Sequence, residues 1–147
     1  MDKKIRKAVR TYLIRDNKIV VIKYKNYNSG YYDIPGGKIE ENETSEETSI
    51  REFKEETGMN IAKQHYIGKT IIEFPDIIYD FNIFIVDEYN GKPLDFDENK
   101  SMWIDLKDLY KETKVFPSII VIKYLKENMN LKINCESNNK IIEIIEL

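Results

Sequence analysis

An acidic stretch at residues 37–59 constrains this chain more than any other feature of its sequence. It reads GKIEENETSEETSIREFKEETGM, and from Glu40 to Glu56 it holds eight acidic residues against only two basic ones, Arg51 and Lys54. Like charges three or four residues apart on a helix repel, at a cost of roughly 0.2–0.5 kcal/mol per pair. Selection for helix stability alone would not produce this pattern, whereas selection for a cation site would.

The same stretch carries the start and stop signals of one helix. Thr44, followed three residues later by Glu47, matches a capping box and predicts a helix that begins at Thr44 or Ser45. Gly58 predicts its end, because glycine readily adopts the left-handed conformation found just after a last helical turn. The glycine pair Gly36-Gly37 lies before this helix and predicts a tight loop.

Helical spacing brings three of the glutamates together. At about 100° per residue, Glu52, Glu55 and Glu56 fall within an arc of about 100° and can converge on one point. A different sector can face a core, and it holds Ile50, Phe53 and Thr57. Mg²⁺ prefers oxygen ligands and is usually held by a few carboxylates together with substrate phosphates. Zinc would require His or Cys ligands that this stretch lacks, so the pattern favours Mg²⁺.

These residues resemble the signature of a known family. Gly37, five residues, Glu43, seven residues and then the run from Arg51 to Met59 are similar to the Nudix box without departure from its pattern. The match covers 23 of 147 residues and fixes nine positions. The resemblance implies an α/β/α sandwich with a mixed β-sheet, of the α+β class, that hydrolyses nucleoside diphosphates linked to another group.

The resemblance also implies roles for individual residues. The expected metal ligands for Mg²⁺, with Mn²⁺ as a substitute, are Glu52, Glu55, Glu56 and the carbonyl group of Gly37. Arg51 with Glu43 would hold the geometry between loop and helix. Lys38 and the loop at Gly36-Gly37 would lie against the substrate phosphates.

A general base is needed in addition to the metal ligands, within hydrogen-bonding reach of the attacking water. In many Nudix hydrolases an acidic residue of a late loop fills this role, and here that loop is Asp95-Phe96-Asp97-Glu98. We expect Glu98 to be the base, with Asp97 as the second candidate. The alternatives are a motif glutamate as the base, or a solvated acidic turn with no catalytic role.

Composition narrows the compartment and the partners. A length of 147 residues predicts a single domain spanning 1–147. A net charge of −3 gives no reason to expect nucleic acid as a partner. One cysteine, Cys135, fits a reducing compartment, and neither a secretory signal nor a membrane-spanning run is visible. Composition therefore predicts a cytoplasmic location, and the resemblance to the Nudix box implies an enzyme acting on a small nucleotide, with a homodimer left open.

Periodicity predicts the remaining elements in outline. The predicted strands are 8–15 and 19–24, joined as a hairpin at Asp16-Asn17, then 66–74, 77–89, 102–104 and 141–147. A second helix is predicted over 117–128, with proline at its start, and a polar loop over 134–140. A mixed sheet with the motif helix on one face and the 117–128 helix on the other follows from this order.

The substrate is left open by the motif. A nucleoside triphosphate, including oxidised forms such as 8-oxo-dGTP, is the first hypothesis, with the monophosphate and pyrophosphate as products. ADP-ribose or a nucleotide sugar is the second, because Pro75 lies where ADP-ribose-cleaving relatives carry a proline. Dinucleoside polyphosphates remain a third, with Tyr79 the nearest tyrosine to the expected marker. A binding module without catalysis is a different class, but such modules usually lose motif carboxylates.

Several other side chains have a functional and a structural interpretation. Phe81 and the tyrosines at 31 and 32 could stack on a base. Arg10 and Lys23 could reach phosphate, although a solvated strand face is the simpler interpretation. We expect His65 at the surface and Trp103 in a core or pocket wall.

Overall fold

The computed structural model describes residues 2–147. The strands are β1 (Lys4–Tyr12), β2 (Ile14–Arg15), β3 (Lys18–Tyr24), β4 (Tyr32–Asp33), β5 (Gly36–Lys38), β6 (Asn60–Glu73), β7 (Ile77–Asn90), β8 (Asn99–Asp105), β9 (Met129–Cys135) and β10 (Ile141–Glu146). The helices are α1 (Ser45–Thr57), α2 (Leu106–Leu109) and α3 (Pro117–Ile120), and α3 continues into a 3₁₀ turn at Val121–Tyr124. No helix within residues 2–147 is long and apolar enough to cross a membrane.

A two-residue turn at Asp16-Asn17 closes the predicted hairpin. Both residues have left-handed backbones, with φ values of 52° and 63°, as a type I′ hairpin turn requires. The turn pairs β2 with β3, but the predicted strand 8–15 is two strands. β1 ends at Tyr12 and pairs with β5 and β7, and the fully buried Leu13 separates it from β2.

The strands form two sheets. The larger sheet has the order β10-β9-β6-β7-β1-β5, in which β1 runs parallel to β7 and β6 parallel to β9. In the smaller, antiparallel sheet β3 pairs with β2, β4 and β8. The α+β class with a mixed sheet is confirmed, but the strands expected in one sheet are divided between two.

Successive residues of β1 face opposite layers, because side chains alternate along a strand. The hydroxyl of Thr11 lies 2.7 Å from that of Ser49 on α1. The next hydroxyl, of Tyr12, donates over 2.8 Å to the carbonyl group of Ser118 on α3. The motif helix and the second helical segment therefore lie on opposite faces of the larger sheet, as expected.

Two apolar clusters fill these layers. Beneath α1, Phe53 packs with Leu13, Val20, Met59 and Val86. The larger cluster, on the α3 side, includes Ile119, Val121 and residues of β1, β6, β7 and β9. The prediction that Ile50 faces a core is wrong, because its side chain is 45% exposed while the neighbouring Thr48 and Ser49 are buried.

The C-terminal part differs most from the prediction. The helix expected over 117–128 ends at Tyr124, and Leu125 has an extended backbone. Asn128 takes a left-handed φ of 57° and leads into β9, which was not predicted. The alternation Met-Asn-Leu-Lys-Ile-Asn-Cys matches its buried and exposed positions, so the sequence did carry this signal. The predicted loop at 134–140 is shorter, since β9 continues to Cys135, and the last strand is confirmed as β10.

Candidate active site at the acidic helix

The ends of α1 form as the sequence predicts. The side chain of Thr44 accepts a hydrogen bond from the Glu47 N–H, and the Glu47 carboxylate accepts one from the Thr44 N–H, both over 3.1 Å. At the other end Gly58 is left-handed with a φ of 79°. A Cβ there would lie 2.4 Å from Leu94 Cδ1, so the loop before β8 closes directly over this end of the helix. These contacts fix where the helix begins and ends, and therefore the directions in which its glutamate side chains point.

Glu56 points into the protein. Its Oε1 accepts a hydrogen bond of 2.7 Å from the Gly36 N–H at the start of β5. Burial raises the pKa of Glu56 to about 8, although the Gly36 N–H and the nearby Arg10 oppose this shift. A buried carboxylate with one hydrogen bond lacks full compensation for its charge, and a bound cation would supply that compensation.

Glu52 lies one turn earlier on the helix and packs against the second glycine. A Cβ at Gly37 would fall 2.5–2.8 Å from the carboxylate atoms of Glu52, so any larger residue would push this carboxylate out of its present position. Burial raises the pKa of Glu52, and its hydrogen bond from Arg51 opposes the shift. The glycine pair therefore contacts both half-buried glutamates: Gly36 donates its N–H to Glu56, and Gly37, having no side chain, leaves space for Glu52.

Arg51 ties the acidic loop to the helix. Its Nε donates to Glu43 Oε2 over 2.7 Å and its Nη2 to Glu43 Oε1 over 3.0 Å, which is a two-point pair. Arg51 also donates to Glu52 Oε1 over 2.9 Å and to the Lys38 carbonyl group over 3.3 Å. Hydrogen bonds from Arg51 and then Thr48 lower the pKa of Glu43 to about 2. The Arg51–Glu43 contact expected from the motif is thus present.

The third motif glutamate is at the surface. The Glu55 side chain is 57% exposed, and its Oε2 lies 3.3 Å from Arg51 Nη1. Within residues 2–147 no three His, Cys, Asp or Glu side chains already converge closely enough to enclose a metal ion. The donor set is two half-buried carboxylates, at Glu52 and Glu56, and one exposed carboxylate at Glu55. Oxygen ligands of this kind, completed by phosphate and water, fit a hard divalent cation.

The late acidic loop meets the C-terminal end of the same helix. Asn99, the first residue of β8, donates through Nδ2 over 3.0 Å to the main-chain carbonyl group of Glu56. The preceding residue, Glu98, has an exposed side chain, and its carbonyl group accepts from the Lys25 N–H over 3.0 Å. The Asp97 carbonyl group accepts from Asn26 Nδ2 over 3.5 Å. The roles of Glu98 and Asp97 as bases stay predictions, as does that of the exposed Lys38.

A cavity of about 430 Å³ lies on the α3 face of the sheet, and sequence reasoning did not predict its polar part. Its lining includes the aromatic residues Phe81, Tyr79 and Phe116. The polar residues Arg10, Asp33 and Ser118 also line it and are called its floor below. Tyr79 and Phe81 are stacked, with ring centroids 5.4 Å apart and planes 4° from parallel. The Phe81 ring therefore forms part of the cavity lining.

Arg10 is not on a solvated strand face, which corrects the simpler interpretation. Its side chain is 15% exposed, and Nη2 lies 3.4 Å from Asp33 Oδ2. Burial opposes the charge of Arg10, but Asp33, Tyr24 and Glu56 together raise its pKa above the ordinary value. Burial raises the pKa of Asp33, against the influence of Arg10. The sequence gives no sign of this pair, because Asp33 alone resembles an ordinary turn residue.

Other candidates lie where their structural interpretation placed them. His65 is half-exposed, with Nδ1 2.9 Å from Asp87 Oδ2 and Nε2 2.9 Å from Glu127 Oε1. Trp103 is half-buried and tilted against Tyr89, with ring centroids 5.9 Å apart. Of the two tyrosines proposed for stacking, Tyr32 is buried and Tyr31 packs on Phe116.

Comparison with known proteins agrees with this geometry. A profile of the NUDIX domain matches residues 4–124. The chain is 33% identical over 87 residues to an oxidized purine nucleoside triphosphate hydrolase of Danio rerio, covering 58% of this chain and 56% of the relative. It is 35% identical over 79 residues to an 8-oxo-dGTP diphosphatase of Escherichia coli, covering 52% and 60%. The matched part thus spans little more than half the length of these relatives.

The fold has counterparts among solved structures. The crystal structure of a MutT protein from Bacillus halodurans aligns with a TM-score of 0.82 at 16% identity, covering 96% of this chain and 97% of that one. At this identity the likeness shows the fold alone. Together with the profile match, which covers most of the chain, it shows that the chain belongs to the Nudix family. Nudix hydrolases generally use divalent metal ions.

Proposed function

We propose that this chain is a Mg²⁺-dependent Nudix pyrophosphohydrolase acting on nucleoside triphosphates, including oxidised forms such as 8-oxo-dGTP. The products would be the nucleoside monophosphate and pyrophosphate. The two relatives named above act on substrates of this kind, by their names, over a matched segment at 33% and 35% identity. Within the structure, the proposal rests on the junction, that is, the place where the cavity meets the acidic helix.

That junction is formed by Arg10 and Gly36. A Cβ placed on Gly36 would lie 2.8 Å from Arg10 Nη1, and the Gly36 N–H holds the carboxylate of Glu56. The cavity floor and the half-buried motif glutamate Glu56 therefore meet on two sides of one glycine. A flat base in the cavity would place its phosphates towards the acidic helix, where cations would be held.

The metal would be Mg²⁺, with Mn²⁺ as a substitute, held by Glu52, Glu56, Glu55 and the Gly37 carbonyl group. When bound, such an ion neutralises phosphate charge and lowers the pKa of a coordinated water. Two contacts within the chain position the proposed metal ligands. Arg51 restrains Glu52, and the Gly36 N–H orients Glu56.

Two further residues complete the proposed machinery. Lys38 is exposed directly after the glycine pair and would bind a phosphate oxygen. Glu98, in the loop that meets the end of α1, would accept a proton from the attacking water. If so, Glu98→Gln lowers the rate with little loss of metal affinity. An unchanged rate would move this role to Asp97 or to a motif glutamate.

Each of the alternative substrates would bind in the same cavity. Pro75 lies in the bend between β6 and β7, and its neighbours Phe74 and Asp76 line the cavity. ADP-ribose, a nucleotide sugar or a dinucleoside polyphosphate would therefore enter at the same place. These substrates belong in the same test.

The test is a substrate panel with product identification. Purified protein with Mg²⁺ or Mn²⁺ is offered the four dNTPs, 8-oxo-dGTP, ADP-ribose, UDP-sugars and diadenosine polyphosphates. We expect monophosphate and pyrophosphate from one or more dNTPs, and loss of turnover in Glu56→Gln. Turnover of ADP-ribose alone would replace the proposed substrate. No turnover of any compound would favour a binding module without catalysis.

The cytoplasmic location, the single domain over 1–147 and a homodimer stay predictions. Cell fractionation, limited proteolysis and size-exclusion chromatography with light scattering would test them in turn.

A further inference from the structure

We propose that Thr11 is a positioning residue for the metal site, because its side chain and its main chain together set the direction of the Glu56 carboxylate. The proposal rests on the proposed function, since it takes Glu56 to be a metal ligand. Thr11 lies on β1, outside the acidic stretch, and within residues 2–147 it makes no hydrogen bond to Glu56. It acts through two other hydrogen bonds, one made by its N–H and one by its hydroxyl group.

The first hydrogen bond holds the peptide unit between Pro35 and Gly36. The Thr11 N–H donates to the Pro35 carbonyl group over 2.9 Å. The other end of this peptide unit is the Gly36 N–H, which donates to Glu56 Oε1 over 2.7 Å. The carbonyl group and the N–H of a trans peptide point in opposite directions, so this unit is bonded at both ends, to Thr11 and to Glu56. The direction of the hydrogen bond offered to Glu56 therefore depends on where β1 holds Pro35.

The second hydrogen bond holds the helix that carries Glu56. The hydroxyl oxygens of Thr11 and Ser49 lie 2.7 Å apart, and both residues are fully buried. Ser49 lies on α1, about two turns before Glu56. Within residues 2–147 no other side-chain hydrogen bond joins α1 to β1. This pair of hydroxyl groups therefore limits how far α1 can shift along β1.

Neighbouring groups show which of the two hydroxyl groups is the donor. Ser49 donates to Gln64 Oε1 on β6 over 2.6 Å, and a serine hydroxyl group has a single proton. Thr11 must therefore donate to Ser49. Gln64 Nε2 donates in turn over 3.2 Å to the main-chain carbonyl group of Glu46, in the first turn of α1. Turning the Gln64 amide over would place its oxygen against that carbonyl group, so the direction of all three hydrogen bonds is fixed.

These contacts form a closed circuit that begins and ends at Thr11. From the Thr11 N–H the circuit passes through the peptide unit at Gly36 to the Glu56 carboxylate. From Glu56 it follows α1 to Ser49 and returns to the Thr11 hydroxyl group. Outer contacts that orient metal ligands are worth about 10- to 100-fold in metal affinity or activity. Removing the Thr11 hydroxyl group opens the circuit and leaves every proposed metal ligand in place.

Two substitutions of Thr11 separate positioning from packing. Thr11→Val has nearly the same shape but lacks the hydroxyl group. Ser49 then keeps its hydrogen bond to Gln64, so no buried donor loses its acceptor and the fold is retained. Thr11→Ser keeps the donor but loses a methyl group, which lowers stability. Thr70→Val is the matched control, because Thr70 is fully buried on β6 and its hydroxyl group has no hydrogen-bond partner within residues 2–147.

The affinity for Mn²⁺ is measured by electron paramagnetic resonance without nucleotide, and thermal unfolding is recorded alongside. We expect Thr11→Val to bind Mn²⁺ about 10-fold more weakly than wild type. Thr11→Ser and Thr70→Val should bind Mn²⁺ as wild type does. If Thr11 acted by packing alone, the affinity would fall in both Thr11 variants in proportion to their loss of stability. Wild-type affinity in Thr11→Val, an equal loss in Thr11→Ser, or no Mn²⁺ binding by wild type would overturn the proposal.

A second measurement needs no metal. Hydrogen exchange of the Gly36 amide, followed by NMR, reports how often its hydrogen bond to Glu56 opens. In Thr11→Val this exchange should be about 3- to 10-fold faster relative to the amides of β9, the factor equivalent to the net contribution of one hydrogen bond. Thr70→Val should leave it unchanged, and an unchanged rate in Thr11→Val would overturn the proposal. If Thr11→Val is too unstable to purify, Ser49→Ala breaks the same hydrogen bond from the helix and is held to the same outcomes.

Hydrolysis separates this inference from the proposed reaction. With a dNTP as substrate, we expect Thr11→Val to need more Mg²⁺ than wild type for its half-maximal rate. The same Mg²⁺ dependence in both proteins would overturn the inference and leave the pyrophosphohydrolase intact. No hydrolysis by wild type, together with weaker Mn²⁺ binding and faster Gly36 exchange in Thr11→Val, would support the inference and contradict the proposed reaction.

Discussion

The carboxylate of Glu56 accepts a hydrogen bond of 2.7 Å from the main-chain N–H of Gly36, twenty residues earlier. This contact joins the buried face of the acidic helix to the loop that precedes it. It also sets the direction of the Glu56 side chain, which is turned inward and half-buried. The proposed metal ligand is thus oriented by main chain before any cation binds.

Replacing Glu56 by Gln should therefore remove the charge of this side chain while keeping its shape. The amide has nearly the size of the carboxyl group and can still accept from the Gly36 N–H, so the fold should be retained. We expect kcat to fall by about two to three orders of magnitude, as for loss of one electrostatic group at a reaction centre. Steady-state kinetics with Mg²⁺ and thermal unfolding measure the two effects. Glu46→Gln, at an exposed position of the same helix, is the control, and full activity in Glu56→Gln would reject the ligand assignment.

The two glycines before the helix should respond differently to alanine. In Gly36→Ala the new Cβ would lie 2.0 Å from the Val9 carbonyl oxygen, a main-chain atom that cannot move aside cheaply. In Gly37→Ala it would meet the Glu52 carboxylate, which can rotate away. We expect Gly36→Ala to lower the free energy of unfolding and Gly37→Ala mainly to weaken metal-dependent turnover. Denaturant unfolding and Mg²⁺ titration of the rate distinguish them, and the reverse pattern would contradict this picture.

Loss of the Glu43 charge should loosen the acidic loop. Because the pKa of Glu43 is lowered to about 2 from an ordinary value of 4.5, its carboxylate stabilises the fold above pH 4.5. That stabilisation is lost as the pH falls towards 2. Glu43→Gln should unfold at a lower denaturant concentration than wild type at pH 7, and the difference should shrink below pH 4.5. Glu41→Gln, in the same loop, should behave as wild type, and a constant difference at all pH values would argue against an ionic contribution.

His65 should make stability depend on pH in the opposite sense. Hydrogen bonding to Asp87, then to Glu127, raises the pKa of His65 above its ordinary value of 6.5. Its contribution is therefore complete below pH 6.5 and is lost as the pH rises through the raised value. Wild type should lose stability between pH 6 and pH 9 by more than His65→Gln does. Urea unfolding across this range measures the slopes, Lys63→Gln provides a surface control, and identical slopes would refute the bridge.

Local elements were predicted well because their determinants are neighbours in sequence. The capping box at Thr44 and Glu47 and the stop at Gly58 define α1 within one residue. The turn at Asp16-Asn17 formed for the same reason, since two residues that tolerate a left-handed backbone suffice for it. In the C-terminal part the prediction of a helix as far as residue 128 was wrong. The run of isoleucine and valine after Pro117 is compatible with a buried helix and with a buried strand.

The pairing of strands that are distant in sequence could not be predicted from neighbouring residues. Nothing near Arg10 in sequence indicates that β1 will lie beside β7 and carry this arginine under Phe81. Nor does the sequence around Asp33 show that its carboxylate will be buried next to that arginine. Strand partners are chosen by the packing of whole faces, so the cavity floor appears only once both sheets are assembled.

The sequence by itself determined the acidic helix, its ends and the family to which the chain belongs, because a helix and its caps depend on contacts within a few residues. The tertiary structure decided which glutamates are buried, which one meets Gly36, and that a charged pair lies at the floor of the neighbouring cavity. Those features depend on residues up to 108 positions apart, and only the packing of the two sheets brings them together.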